Sequence, residues 1–458
     1  MPALNWRMIP KLRHWWQELQ SSFWFVPAMI VVGAVGVATV LIAIDTNIEL
    51  HFDRKWPLFF GSGAAGSRGL LTAVASSMIT VAGVVFSINI VALSLTSSQY
   101  TSRVLRNFMR DRINQAVLGV FVGIFAYCLV VLRTIRGGDE GAFVPSLAVL
   151  GGLALAFVGI AFLIYFIHHI SLSIQASSII AAAAEETIAA IDHLFPKGLG
   201  EDADEAPDGT MTARAEQTWS AVAAPRTGYI ESIDSDLLVV WARKRETIVR
   251  MERGIGEFVV EGAPLISVAG PSKPDNEVIA ELNTVFVISR QRTVQQDAGF
   301  GIRQIVDVAM KALSPGVNDT TTAVMCVDYL GAILSRLAMR TIATSHRLDH
   351  GVLRVIARGP SFESLLSDAF DQIRQNAEGN VAVLTRQLQS LETIAGRTTN
   401  VQRRQALRQQ ANLITAVANR TIRSPHDNAG VGDAWERLSQ VLGEPVGSSP
   451  IPPQELSS

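Results

Sequence analysis

Hydroxyl side chains recur along one uncharged stretch of the chain, residues 70–98, at a spacing that suits water or polar partners inside a membrane. An α-helix advances about 100° per residue, and at that spacing these side chains fall within an arc of roughly 80°. The members of this hydroxyl stripe are Thr72, Ser76, Thr80, Ser87, Ser94 and Ser98. Gly83 and one large apolar residue, Ile90, lie in the same arc. The stretch therefore predicts a helix with one small, hydroxylated face.

Two functions fit the hydroxyl stripe. Small and hydroxyl residues let membrane helices approach closely and hydrogen-bond across their contact. The same residues suit the lining of a water-filled path, in which Ile90 would form a constriction that gates by excluding water. The opposite face of the helix is apolar, as a lipid-facing surface would be. That face consists of Val74, Val81, Val85, Ile88 and Leu95.

A basic segment follows the stripe directly and suits a negatively charged surface. Its arginines are Arg103, Arg106, Arg110 and Arg112. Arginines interleaved with apolar residues are typical of a helix end or a short amphipathic helix that contacts anionic lipid headgroups. A solvated cytoplasmic loop explains the same residues through the positive-inside rule. Binding of a specific anionic effector is a third alternative.

A second candidate site is the turn SPGVNDTTTA at residues 314–323. Its proline and glycine break one helix, and Asn318 or Asp319 can cap the next. The amides at that helix N-terminus would hold an anion, with help from Arg292 or Arg303. A purely structural cap and turn explains the same residue types. The residues of this structural or ligand-binding turn are Asp297, Arg303, Asn318 and Asp319.

Signatures of catalysis and of metal binding are missing from the sequence. It contains no GxxxxGK[ST], HExxH, CxxC or GxSxG motif. His346 and His350 stand four residues apart, a weak metal signal that we interpret as structural. The adjacent His168 and His169 point to different helix faces, so we expect interfacial residues, with pH sensing as an alternative. We expect no enzyme, no cofactor and no metal site.

The composition indicates an integral membrane protein. Hydrophobic residues make up 48% and charged residues 17% of the 458 positions, and the mean hydropathy is +0.28. The net charge of -2 gives no basic surface for nucleic acid. Four apolar runs could each cross a bilayer, at residues 23–44, 70–98, 113–132 and 146–167.

The distribution of charge around these runs predicts their orientation and limits their function. None of the four carries Asp, Glu, Lys or Arg in its interior, which counts against a proton-coupled carrier. Arginine and lysine are concentrated before the first run and between the second and third. The positive-inside rule then places both termini in the cytoplasm.

Shifts in composition divide the chain into a membrane part and a cytoplasmic α+β part. The expected segments are an interfacial N-terminal segment (1–22), a four-helix transmembrane domain (23–172), an extension of helix four (173–197), an acidic linker (198–222), a small β-barrel module (223–272), a helical domain (273–423) and a disordered tail (424–458). Helices are expected at residues 301–313, 361–377, 380–391 and 400–420, and Asp234 is expected to cap a short helix.

Three phrases of the sequence are specific in combination: VFSINIVALSLTSSQYTSRVLRNFMRDRINQ, YFIHHIS and RTVQQDAGFGIRQIVDVAMKALSPGVNDTTTAVMCVDYL. Together they resemble the predicted membrane proteins of the domain of unknown function 2254 family, over residues 15–395. The resemblance implies a bacterial membrane protein with an N-terminal four-helix portion and a cytoplasmic C-terminal portion, and it implies no established activity. The positions that match the family's phrases are Ser87, Ser94, Ser98, Arg103, Arg106, Asp111, His168, His169, Asp297, Pro315, Asn318 and Asp319.

These patterns predict an oligomeric inner-membrane channel-like or pore protein, whose cytoplasmic region assembles or gates it. The alternative is a membrane-anchored scaffold or sensor without transport activity. In that case the stripe only packs helices, and the region from Asp297 to Asp319 binds a partner or ligand. The expected partners are the lipid bilayer, its anionic headgroups and further copies of this chain.

Overall fold

The computed structural model describes residues 24–47, 63–99, 111–137, 143–195, 218–270, 273–342 and 345–443. The chain divides into two compact units, Met1–Ser178 and Ile179–Ser458. The first has a core of apolar helices, and the second combines helices with β-sheets.

Long apolar helices make up the described part of the first unit. They are α1 (Phe25–Asn47), α2 (Ala64–Gln99), α3 (Arg112–Thr134) and α4 (Ser146–Ser173). Each is long and apolar enough to cross a membrane, in agreement with the four expected spans. Arg68 lies near the start of α2, before the uncharged run, and donates a hydrogen bond to the carbonyl of Ile135 at 2.8 Å.

The helices α1 and α3 pack closely because two glycines of α3 face α1. A Cβ on Gly119 would lie 2.9 Å from the Cα of Pro27. A Cβ on Gly123 would lie 3.4 Å from side-chain atoms of Ile30 and Ala34. The spacing of these glycines thus serves a close helix crossing, as such spacings do in many membrane proteins.

Polar groups from α1 and α3 meet the start of α4. The buried hydroxyl of Tyr127 donates to the carbonyl of Ala148 at 2.7 Å. The carboxylate of Asp45 accepts from the backbone N–H groups of Leu147 at 3.0 Å and Ala148 at 3.2 Å. These amides have no acceptor within their own helix, so Asp45 satisfies groups that would otherwise be unpaired.

Strands of the second unit form two sheets. They are β1 (Trp219–Ala223), β2 (Gly228–Ile233), β3 (Val249–Met251), β4 (Phe258–Val259), β5 (Pro264–Ala269), β6 (Phe286–Ser289), β7 (His346–Asp349) and β8 (Val352–Ile356). One sheet has the order β1-β5-β3-β8-β7 and the other the order β4-β2-β6. Pairing is antiparallel except between β3 and β8, where Val249 pairs in parallel with Val355. Neither sheet closes on itself within the described ranges, so the predicted β-barrel is not confirmed.

Three of these strands, β6, β7 and β8, lie entirely outside the segment 223–272 that was predicted as the β module and come from a region expected to be helical. The strand β1 begins at Trp219, within the predicted acidic linker. β7 and β8 form a hairpin whose turn contains His350 and Gly351, with φ of 49° and 78°. The sheet therefore recruits residues that are far apart in sequence.

Helices make up the rest of the second unit, and those whose caps were recognised in the sequence begin where they were predicted to begin. The helices are α5 (Ala176–Leu194), α6 (Ser235–Lys244), α7 (Asn276–Asn283), α8 (Ala298–Ala312), α9 (Thr320–Ala338), α10 (Phe362–Asn376), α11 (Val381–Ala395), α12 (Val401–Thr421) and α13 (Pro425–Val441). Asp234 caps α6 as expected, since its carboxylate accepts from the N–H of Leu237 at 2.9 Å.

Two expected segments differ in the structure. The fourth membrane helix does not run on without interruption, because α4 ends at Ser173 and α5 begins at Ala176. The tail expected to be disordered from residue 424 contains α13, which Ser424 caps and in which Trp435 and Leu438 are buried. Buried residues at helical spacing stabilise α13 despite the glycines and polar residues that suggested disorder.

The helix α9 is also long and apolar enough to cross a membrane. In the structure it packs against α8 and α11 of the second unit. Its Arg336 forms two hydrogen bonds of 2.7 Å with the carboxylate of Asp192. The apolar residues of α9 therefore build the core of this unit.

Candidate functional site

The hydroxyl stripe lies on the face of α2 that the other described helices of the first unit leave uncovered. Thr72, Ser76, Thr80, Ser87 and Ser94 are exposed, and Ile90 is 51% exposed. The side chain of Ser98 lies outside the described part of the chain. Among the described residues of the first unit, the stripe is therefore not a packing face.

The opposite side of α2 carries the contacts with the bundle. Its buried residues recur every three or four positions and are Ser67, Leu71, Ala75, Met78, Ala82, Val85, Asn89, Ala92 and Thr96. Such spacing places them on one side of the helix. Three of them are alanines, whose small side chains allow the neighbouring helices to approach.

The apolar face was predicted to contact lipid, and for its first part that prediction is wrong. Val85 is fully buried, and Val74 and Val81 pack against the core of the first unit. Ile88 and Leu95 remain 36% and 43% exposed. The prediction failed because the neighbouring helices determine which apolar residues of α2 contact protein. The sequence of α2 alone does not specify where those helices lie.

One member of the stripe satisfies its hydroxyl within the helix. The hydroxyl of Thr80 donates to the carbonyl of Ser76 at 2.8 Å. Hydrogen bonds of this kind let threonine and serine stand in a membrane helix without an external partner. The stripe is therefore compatible with a packed contact as well as with water.

Buried polar side chains lie towards the end of α2 and the start of α3. Asn89, Thr96 and Asn114 are at most 8% exposed. Their side-chain polar atoms have no hydrogen-bond partner among the described residues. Asn114 was missed in the sequence, although two adjacent amide side chains, Asn114 and Gln115, mark this position just after the basic segment.

A contact between a carboxylate and an imidazole joins the start of α3 to the end of α4. One carboxylate oxygen of Asp111 accepts from the N–H of Ile113 at 2.9 Å and caps α3. The other lies 2.5 Å from Nε2 of His169, whose ring stacks on Tyr165 with 6.1 Å between ring centres. His168 is exposed, so the two histidines face different surroundings, as expected.

The basic segment is described only at its last arginine. Arg112 is exposed in the first turn of α3. Arg103, Arg106 and Arg110 lie outside the described residues. Contact between this segment and lipid headgroups stays a prediction.

In the second unit, Asp297 forms a compact structural cluster. Its carboxylate binds Arg292 at 2.7 Å and 3.0 Å and caps α8 by accepting from the N–H of Phe300 at 2.9 Å. Gly256 packs against this pair with φ of 82°, where a Cβ would overlap both side chains. Asp297 is only 8% exposed, so its charge is held by partners within the chain.

The turn at residues 314–323 supports the structural interpretation. Asp319 caps α9, since it accepts from the N–H of Thr322 at 3.0 Å and from its hydroxyl at 2.5 Å. These bonds lower the pKa of Asp319. Asn318 adopts the left-handed conformation with φ of 49°, which asparagine tolerates better than most residues.

Neither arginine that was expected to help hold an anion is free to do so at this turn. Arg292 binds Asp297, and Arg303 binds Asp307 at 2.8 Å. The hydroxyl of Thr320 instead accepts from the side-chain amide of Asn380 at 2.9 Å, which links the starts of α9 and α11. Of the four predicted turn residues, Asp297 and Asp319 thus cap helices, Arg303 lies in an ion pair, and Asn318 forms the left-handed residue of the turn.

No group of three His, Cys, Asp or Glu side chains converges as metal ligands within the described ranges. His346 lies in β7 and His350 in the hairpin turn. The two cysteines, Cys128 and Cys326, are buried and unpaired.

Comparison with known proteins agrees with this architecture. Residues 20–393 match the family model described as a predicted membrane protein, DUF2254. The chain belongs to this family. It is 34% identical over 440 residues to uncharacterized proteins of Mycobacterium tuberculosis, strains CDC 1551 and H37Rv, and of Mycobacterium bovis. The match covers 95% of this chain and 83% of each relative, and no solved structure matches.

DUF2254 membership establishes a membrane protein with several apolar helices. The structure also brings together two of the positions that matched the family's phrases, Asp111 and His169. Their pairing was not recognised in the sequence. Asp111 lies just before the third expected span, and His169 lies just after the fourth. Both residues were therefore expected on the same side of the bilayer, and this was the signal in the sequence that could have indicated their contact.

Proposed function

We propose that the protein is a homo-oligomeric channel-like protein of the bacterial inner membrane. The observation that supports this proposal is the exposure of the hydroxyl stripe, while the bundle packs on the other side of α2. A surface that faces only lipid is expected to be apolar, because hydrocarbon offers no partner for polar groups. Further copies of the chain, or water between them, would cover the stripe.

Cyclic symmetry gives this face a common place in every subunit. In a closed ring each copy of α2 would present the same face to the central axis. The exposed hydroxyl groups would then line a path, and a ring of Ile90 side chains would form its narrow, water-excluding gate. Since residues 70–98 contain no ionisable side chain, this path would have no ring of fixed charge.

The orientation proposed for the chain follows from its basic segments. Arginine and lysine before α1 and between α2 and α3 place both termini in the cytoplasm by the positive-inside rule. Arg103, Arg106, Arg110 and Arg112 would then contact anionic headgroups of the inner leaflet. The second unit would lie in the cytoplasm, where it assembles or gates the path, and we assign it no catalytic reaction.

A scaffold without transport activity is the second candidate. It is favoured by the hydrogen bond from Thr80 to Ser76, because a hydroxyl satisfied within its helix needs no water. In this case the stripes of neighbouring copies would pack directly on each other.

Ion flux through purified protein in liposomes tests the channel. Ile90→Ser is compared with wild type and with Ile88→Ser, a matched control. Ile88 has the same side chain two positions away, about 200° around the helix, and is 36% exposed. Under the channel proposal Ile90→Ser raises flux severalfold, because a polar gate admits water.

Each outcome decides between the candidates. Increased flux in Ile90→Ser alone supports the path. Equal increases in both variants indicate leakage through a disturbed bundle and contradict it. No flux from any variant, with the oligomer intact by cross-linking, favours the scaffold, and a monomer in the membrane overturns both.

A further inference from the structure

A cavity of about 530 Å³ lies where α9 ends and α12 begins in the second unit. Its walls are residues 338–341 and 397–403. They contribute three arginines, Arg340, Arg397 and Arg403, and no aspartate or glutamate. The volume falls within the roughly 300–1,000 Å³ of typical small-molecule sites.

Two of these arginines are held rigidly. Arg403 donates to the carbonyls of Ala338 at 2.9 Å and Arg340 at 3.0 Å. Arg340 is 6% exposed and pairs with Asp192, the carboxylate that also binds Arg336. The single negative charge of Asp192 is thus shared by two guanidinium groups, and the partners of Arg403 are carbonyls without charge. The cavity therefore keeps a net positive charge.

The third arginine and the start of α12 supply free donors. Arg397 is exposed, and its side chain has no hydrogen bond or ion pair with any described residue. The side chain of Asn400 caps α12 by accepting from the N–H of Arg403 at 3.0 Å. The preceding amides, of Val401 and Gln402, have no partner in the described part of the chain. Amides at a helix N-terminus favour negative charge.

We propose that this cavity binds the phosphate group of a small molecule. A dianionic phosphate offers oxygens to several donors at once, and guanidinium groups bind it through paired hydrogen bonds. The cavity is larger than phosphate alone, and the exposed side chains of Met339 and Val401 provide apolar contact for the rest of the ligand. This site does not depend on the channel proposal.

Structural roles explain part of the arginine cluster and leave the rest for the ligand. Arg403 satisfies carbonyls at the end of α9, as basic residues do at helix C-termini. Arg340 and Arg336 fix α5 to α9 through Asp192. Neither role involves Arg397, and neither requires a cavity without carboxylates. Substitution of Arg397 therefore distinguishes a phosphate-binding site from a purely structural cluster of arginines.

Calorimetric titration of the full-length protein in non-ionic detergent tests the site, with pyrophosphate as the probe. Arg397→Gln should weaken binding about tenfold, or ~1.4 kcal/mol. Arg423→Gln is the matched control: it removes the same charge from an exposed side chain just beyond the other end of α12, about 30 Å along the helix. Arg397→Lys keeps the charge without the planar pair of donors and should give an intermediate affinity.

A second titration, with short-chain phosphatidylglycerol, distinguishes a lipid phosphate from a soluble phosphate as the ligand. The site is supported if Arg397→Gln weakens the binding of either probe and Arg423→Gln leaves it unchanged. The probe that binds more tightly shows whether the ligand is a soluble phosphate or a lipid phosphate. Equal weakening in both variants indicates a diffuse charge effect and overturns the proposal. Wild-type protein that binds neither probe overturns it as well.

Discussion

The hydroxyl stripe of α2 and the cluster around Asp297 both contain polar side chains but use them in opposite ways. Along the stripe the polar residues point away from the bundle, and the other described helices of the first unit do not cover them. At Asp297 the carboxylate, its arginine and the helix amide satisfy one another within the chain. Both regions were candidate sites in the sequence, and their residue types alone did not separate them.

The difference shows how a polar cluster can be assigned. Side chains that are buried and mutually bonded stabilise the fold, because leaving any of them unpaired is costly. Side chains that the chain leaves exposed inside a membrane are available to water or to another subunit. We therefore expect stability to depend on Asp297 and assembly or flux to depend on the stripe.

The largest expected effect is on the stability of the second unit. Asp297→Ala removes a helix cap and leaves Arg292 without its carboxylate, which should lower the free energy of unfolding by about 3 kcal/mol. Asp234→Ala removes an exposed cap without an ion pair and should cost about 1 kcal/mol. Chemical denaturation followed by circular dichroism measures both. Equal losses would mean that the ion pair with Arg292 adds nothing.

A smaller effect compares two glycines of the first unit. Gly119→Ala places a Cβ against α1, 2.9 Å from the Cα of Pro27, and should destabilise the bundle by about 2 kcal/mol. Gly83 has nothing within 4 Å of an added Cβ, so Gly83→Ala should not destabilise the monomer. Unfolding in mixed micelles measures the bundle. If Gly83→Ala weakens only the oligomer in cross-linking, the stripe packs directly between copies.

The smallest expected effect concerns pH. Hydrogen bonds from Arg336, with further contributions from Arg340, lower the pKa of Asp192 from 3.8 to about 2. A carboxyl whose pKa is lower in the folded protein stabilises it above its ordinary pKa, and this contribution is lost as the pH falls from about 5 to 2. Because the side chain is about a third exposed, we expect a contribution of ~1 kcal/mol.

The variant Asp192→Asn isolates this contribution from those of other carboxyl groups. The difference in unfolding free energy between wild type and variant should be largest near neutral pH and should shrink towards pH 2. Thermal unfolding across this range measures it. A difference that does not change with pH would show that Asp192 acts only through its shape and hydrogen bonds.

Long helices could be predicted from the sequence because their signals are local. Apolar runs located α1 to α4, and the caps Asp234 and Asp319 located helix starts. The strands β7 and β8 were missed because β8 is paired with β3, a strand far upstream. The helix α13 was missed because its glycines obscured the periodic burial of Trp435 and Leu438.

The candidate site could be predicted only in part for a related reason. Helical periodicity placed the hydroxyl groups of α2 on one face, as the structure confirms. Whether that face or the valine face contacts the bundle depends on α3 and α4, which periodicity within α2 does not specify. The arginines of the cavity come from residues 340, 397 and 403, and hydrogen bonds from Arg403 to the end of α9 hold the start of α12 beside them.

The close contact between α1 and α3 has a consequence for biosynthesis. A membrane chain is inserted from its N-terminus, so α1 enters the bilayer before Gly119 and Gly123 have been translated. Until these glycines arrive, α1 lacks the surface on which it finally packs. The contact between α1 and α3 therefore cannot form before residue 119 is translated, and truncation of the nascent chain before this residue should leave α1 without its partner and open to membrane proteases.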